Sequence, residues 1–220
     1  MTPPPQRPGR RTGQSRPPQP RAPDIGPGTS PMTGEQLGSA DRDGFGRFSE
    51  LLVTGGAELP PMRDETLTDV RLERVFSAAW TAPGCELERC ALVGMRLGAL
   101  EMPEVRWESV TANGGRWGYA NLRGSTLRDV VLEDVVIEDL DLMEAEVERL
   151  ALRDCRIGTL HLSGAQCTDV DLRGASIDRI EGLSGARGIV VDPSQVMVWA
   201  NDLAQHLGIR VLGEGSGAGN

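Results

Sequence analysis

The sequence predicts a solenoid, a chain that turns a corner every five residues and stacks its turns about one interior axis. Three observations carry this. From Leu67 to Ile177, every position whose number ends in 2 or 7 is apolar except Ser77. From Val70 to Ile180, every position ending in 0 or 5 is apolar except Gly115 and Ser125. The class ending in 1 or 6 has only Phe76, Ala91, Val131, Val136 and Ala151 as apolar members, so the pattern is not general hydrophobicity. The phase holds from residue 65 to residue 180. A helix would spread residues five apart by about 140° around its axis. A plain strand would flip every fifth side chain to the opposite face. A strict five therefore needs a bend in each repeat, with the central residue and the residue two before it pointing inward.

The pattern resembles the pentapeptide-repeat family, whose loose motif is A(D/N)LXX. The best matches are Ala120-Asn121-Leu122-Arg123-Gly124, Leu140-Asp141-Leu142 and Val170-Asp171-Leu172-Arg173-Gly174-Ala175. The resemblance implies an all-β solenoid, a right-handed quadrilateral β-helix with four pentads, twenty residues, per coil. Pro83 and Pro103 sit twenty apart at one repeat position, as do Trp80 and Leu100. At a strand spacing of about 4.8 Å, residues 65–180 make about six coils and a rod near 28 Å long. The chain departs from the family in placing Trp107 and Trp117 at centres, facing each other across one coil with Ala112 between. Asn113-Gly114-Gly115 reads as a bulge or loop able to swing one Trp outward, and the reading preferred over it is a repacked core with a local distortion.

Composition bounds the rest. The 220 residues carry a formal net charge of −9, and all 23 bases are arginine. An acidic balance argues against a protein that grips nucleic acid over a broad basic face. No apolar run spans a membrane and the N-terminus has no apolar signal core, which predicts a cytoplasmic protein. Residues 1–32 hold ten of the fifteen prolines and five arginines, and read as a disordered Pro/Arg-rich arm. Residues 33–64 read as a transition, with Phe45, Phe48 and Leu52 at helical spacing and Gly55-Gly56 as a stop. Residues 65–180 are the repeat.

Residues 181–212 read as a C-terminal helical cap over the open end of the solenoid. Asp192-Pro193-Ser194-Gln195 is a helix start, with Asp at the N-cap, Pro at the first helical position and Gln two further on. Val196, Ala200, Leu203 and Leu207 form one stripe, and Gly208 suits the C-terminal stop. Ile209–Leu212 reads as a short final strand and 213–220 as a disordered tail. Met197, Val198 and Trp199 widen the apolar face. In the fluoroquinolone-resistance members of the family a C-terminal helix of similar placement mediates homodimerisation. Gly185-Ala186-Arg187, Asp192, Gln195 and Leu207-Gly208 look like theirs, which implies a homodimer through this helix.

No chemistry-bearing motif is present: no phosphate loop, no G-x-S-x-G, no H-E-x-x-H. His161 falls at an outward repeat position and His206 near the helix C-terminus, where a cation suits the dipole. Cys85, Cys90, Cys155 and Cys167 all fall at inward positions and are expected to be buried and inert. Neither a catalytic site nor a metal or cofactor is expected. The remaining candidate site is charge. Eight acids and no base lie between Glu133 and Glu148: Glu133, Asp134, Glu138, Asp139, Asp141, Glu144, Glu146 and Glu148. Acid-rich rods of the family include DNA mimics that bind DNA gyrase. The resemblance thus sets a DNA mimic engaging a type II topoisomerase beside a plain protein-interaction scaffold with an unidentified partner. Ladders work against the mimic. At a period of twenty, Glu133 stacks near Arg153 and Arg128 lies between Glu108 and Glu148, so part of the acidic run neutralises itself.

Overall fold

The computed structural model describes residues 29–38, 46–55 and 58–211. The residues of the arm before 29, Phe45, Gly56, Leu212 and the tail after it lie outside the described residues. The chain is a parallel β-solenoid of about seven turns with short helices at its two ends.

Its core is the five-residue pattern made solid. Positions ending in 2 or 7 from Leu67 to Ile177 are buried, apart from the half-buried Cys167. Positions ending in 0 or 5 from Val70 to Ile180 are buried, apart from the half-buried Gly115. Strands pair with a register of twenty, so like stacks on like: Leu127 on Val147, Leu132 on Leu152, Trp80 on Leu100. Each fully buried Val, Leu or Ile contributes about 1.5–3 kcal/mol, and the columns repeat that gain coil after coil. Corners are made by residues in the left-handed region, as at Gly124, Asp129 and Asp134 with φ of 65°, 54° and 53°. Non-glycine residues there cost about 1–2 kcal/mol each, which the stacked core offsets.

The four sides of the coil are named by their central columns: the first by Leu122, the second by Leu127, the third by Leu132 and the fourth by Ile137.

The solenoid begins before residue 65. The expected helix around Phe48 and Leu52 is instead a strand, Arg47–Thr54, paired with Thr66–Glu73. Phe48 stacks on Leu67, Leu51 on Val70 and Val53 on Leu72, nineteen residues apart rather than twenty. Centre, flank and centre are all there, displaced by one residue. That slip hides them from a test by position number, and the stacking partners override the helical spacing. A five-residue helix, Gly34–Gly38, lies ahead of it and buries Leu37. Thr33 and Gln36 cap it reciprocally, through Thr33 N–H to Gln36 Oε1 (2.8 Å) and Gln36 N–H to Thr33 Oγ1 (3.3 Å).

Trp107 and Trp117 are both fully buried, so neither swings outward. The same coil supplies the space. Ala112, Ala120 and Gly115 take three of its inward positions, so two large residues are balanced by three small ones. Asn113-Gly114-Gly115 is no loop but part of one strand, Arg106–Asn121, that bends at Gly114 and Gly115.

The C-terminal cap is two short helices, Pro193–Val198 and Ala200–His206, broken at Trp199. The face turned to the core is Gln195, Trp199 and Leu203 rather than the expected stripe, since Val196 and Leu207 are exposed. Gln195 replaces an apolar residue because its amide has work at the solenoid end. Nε2 donates to Leu172 O (2.7 Å) and Ala175 O (2.8 Å), and Oε1 accepts from Asp192 N–H (2.7 Å). Trp199 Nε1 donates to Ile177 O (2.9 Å). Gly208 has φ of 73° and closes the second helix through Gly208 N–H to Gln205 O and Ile209 N–H to Ala204 O. Residues 209–211 form no strand, contrary to expectation.

Candidate interaction surface

The cysteines and histidines make no site. Burial pushes the Cys90 thiol up to about 12 and the Cys155 thiol up to about 11, and raises Cys85 and Cys167 as well. All four stay protonated at neutral pH and are poor nucleophiles. Cys167 is half-buried rather than buried, because the chain beyond it, at Gly188, leaves the twenty-residue register. His161 lies between carboxylates, with Nδ1 3.3 Å from Glu181 and Nε2 3.7 Å from Asp139. Among the described residues, no three of His, Cys, Asp and Glu gather as metal ligands. No described helix is long and apolar enough to cross a membrane.

The eight acids from Glu133 to Glu148 do not share a face. Sixteen consecutive residues travel most of the way round a twenty-residue coil, and each side receives two acids. Glu133 and Asp134 lie on the third side, Glu138 and Asp139 on the fourth, Asp141 and Glu144 on the first, Glu146 and Glu148 on the second. Most are engaged. Asp141 is buried and accepts from Arg123 Nη2 (3.0 Å), Tyr119 Oη (3.2 Å) and the Met143 N–H (2.9 Å). Glu138 pairs with Arg116 (2.6 Å), and Glu148 with Arg128 (2.9 Å) and Arg149. Glu133 accepts from Asn113 Nδ2 (3.5 Å). Asp134, Glu144 and Glu146 have no ion pair among the described residues.

Charge is sorted by column instead. On the second side, between residues 65 and 180, eight outward carboxylates from Asp69 to Asp169 face four arginines: Arg89, Arg106, Arg128 and Arg149. The fourth side, opposite, has Glu138, Asp139 and Asp178 against Arg96, Arg116, Arg156 and Arg179. One side is thus net −4 and the other net +1. The second side's arginines are all paired, two of them bidentately across coils: Arg89 on Asp69 (2.7 and 2.9 Å) and Arg149 on Asp129 (2.6 and 2.8 Å). The Arg149 guanidinium bonded to Asp129 holds that carboxyl below its ordinary range, and Arg173 does the same to Asp171. Every surplus charge on the second side is therefore negative. A run-based reading of the sequence misses this, because neighbours on a side are twenty residues apart. Reading down each column would have found it.

At the C-terminal end, Met197 and Val198 are exposed, at 76% and 62%. Trp199, expected beside them, is 3% exposed and belongs to the core.

A five-residue period, four-sided coils and charge sorted by side define a parallel β-solenoid whose described residues offer outward surfaces sorted by charge. No family model matches the chain, and no curated protein matches it. Solved structures similar to it include two trypsin-treated variants of QnrB1, a plasmid-mediated fluoroquinolone resistance protein. Both are 14% identical. One covers 69% of this chain and 92% of the other with a TM-score of 0.23; the second covers 70% and 92% with a TM-score of 0.20. These superpositions are too loose to transfer a contact or a partner, so the functional reading rests on the chain's own residues.

Proposed function

We propose that this chain is a non-catalytic pentapeptide-repeat interaction module of the cytoplasm. In this reading its second side docks on a cationic protein surface. The observation that supports this is the sorting of charge: a rigid rod with a net negative side opposite a near-neutral one presents an oriented field, which steers a partner and fixes its register. The alternative, an acidic DNA mimic acting on a type II topoisomerase such as DNA gyrase, draws on the same side. Its magnitude is thin. Duplex DNA carries one charge per roughly 1.7 Å, about sixteen over a 28 Å rod, against a net −8 for all sides of residues 65–180 together, 13 arginines less 21 acids. A homodimer through Met197 and Val198 belongs to the same proposal, since it would set two such sides in one particle.

Affinity capture with the intact chain, compared with Glu86→Arg/Glu108→Arg/Glu146→Arg, tests the docking side. The same partner should be retained by the wild type, released by raised salt and lost by the triple variant. Equal capture by both proteins would sink the second side as the interface. A gyrase supercoiling assay separates the readings: inhibition by the wild type and not by the triple variant would favour the mimic. Light scattering on the wild type and on Met197→Glu/Val198→Glu reads the dimer. A monomeric wild type at micromolar concentration would remove it.

A further inference from the structure

We propose that the groove along the corner of the third and fourth sides binds an extended acidic segment of a protein partner. The groove has a volume of about 800 Å³ and is lined by Arg96, Gly98, Arg116, Gly118, Val136 and Glu138 among others. This proposal rests on the interaction-module reading and adds a second surface to it, of opposite preference to the first.

The groove is opened by what its two arginines do. Arg96 and Arg116 occupy the same column in adjacent coils, paired residue to residue, about 4.8 Å apart along the axis. Like charges so placed repel, and each is drawn away from the other. Arg96 lies over the ring of Phe76, one coil back, at 5.5 Å from its centroid. Arg116 reaches one coil forward to Glu138 at 2.6 Å. The guanidinium groups part, and what lies beside the gap is glycine. At Gly98 and Gly118 a Cβ would come within 2.4 Å of the carbonyl oxygen one coil back, so the wall as it stands is packed for glycine at both. The two glycines thus leave bare backbone beside two cations.

The occupant follows from the surroundings. Arg96 has no carboxylate partner among the described residues, and its aromatic contact leaves its hydrogen-bond donors unused. Arg116 uses one nitrogen on Glu138. A carboxylate therefore meets donors in fork geometry. A flat glycine floor accepts an extended main chain. The half-buried Val136 lines the groove and offers an apolar contact, and Phe76, 43% exposed, carries the Arg96 guanidinium over its ring. A polyphosphate fits poorly: Asp134 and Glu138 line the same groove, and the chain as a whole is net −9. Isolated carboxylates separated by main-chain donors suit a groove that mixes two cations with two anions.

The test is fluorescence anisotropy with a fluorescein-labelled hexaglutamate peptide at low salt. Hexaglutamine serves as the uncharged control and a short single-stranded DNA as the polyphosphate. The full chain should bind hexaglutamate and not hexaglutamine. Arg96→Ala/Arg116→Ala should weaken binding roughly tenfold or more, the scale of losing charged hydrogen bonds. Arg128→Ala on the second side should change it less than twofold. Both arginines of the double variant are exposed, so circular dichroism should report an unchanged fold. No binding by the wild type, an equal loss in Arg128→Ala, or tighter binding of the DNA would each overturn the proposal. If hexaglutamate fails while the second side still captures a partner, the groove is refuted and the module reading survives.

Discussion

Replacing Gln195 with Ala should unfasten the C-terminal cap and destabilise the protein by about 3–5 kcal/mol. Three hydrogen bonds go at once: those to Leu172 O and Ala175 O, and that from the Asp192 N–H. Gln195 is 7% exposed, so the carbonyls it leaves cannot readily turn to water. Each buried group left without a partner costs about 1–3 kcal/mol. At roughly 2–4 °C per kcal/mol for a chain of this size, the melting temperature should fall by about 6–20 °C. Gln195→Met separates packing from hydrogen bonding, since it fills the same space and donates nothing. It should fall almost as far as the alanine variant. The damage should also be local, because each coil of a solenoid touches only its neighbours. Hydrogen exchange should speed up around residues 170–190 and stay slow around residues 107–132. A methionine variant as stable as the wild type would show that Gln195 only fills space.

Much of this fold is legible because the solenoid is a local rule repeated. Two inward positions in five place Leu132, Leu152 and Val135 in the core without knowledge of any long-range contact, and the structure buries all three. Legibility ends where the rule is interrupted. At Phe48 a coil one residue short moves the apolar class to new position numbers, and helical spacing then looks like the better explanation. At the cap, the buried stripe is led by a glutamine, which no hydrophobic pattern selects. Its reason lies in two carbonyls about twenty residues earlier. The Asp192–Gln195 start was readable because capping is local, and Gly208 for the same cause.

Charge was the least legible property. The run from Glu133 to Glu148 looks like a patch only when the chain is drawn as a line. Wound into a coil it becomes a ring with two acids on each side. The electrostatic organisation appears when residues twenty apart are read together. Asp129 and Arg149 then become a bidentate pair, and Arg96 and Arg116 a repelling one with separate anchors. The same coil period decides which surplus charges face a partner and which are spent within the rod.

Gly115 should be the least replaceable residue of the two-tryptophan coil. It holds φ of 109°, and a Cβ there would lie 2.2 Å from Met95 O and 2.9 Å from Met95 N. Both contacts are with backbone of the preceding strand, which is itself paired and cannot yield alone. Strained φ costs about 1–2 kcal/mol and overpacking about 1–3 kcal/mol or more, so Gly115→Ala should lose about 3–5 kcal/mol. Its neighbour is the control. Gly114 also has positive φ, 66°, but a Cβ there meets nothing within 4 Å. Gly114→Ala should cost about 1–2 kcal/mol, the conformational part alone. The two variants share composition and differ by one position, so their difference isolates the contact with Met95. Trp107 and Trp117 report on the mechanism, since both are fully buried in the coil that Gly115 helps to close. Tryptophan emission of Gly115→Ala should shift to the red, and that of Gly114→Ala should hold. Equal melting temperatures for the two variants would mean that the solenoid wall relaxes around a methyl group. The balance of small against large residues would then not be what admits two tryptophans to one coil.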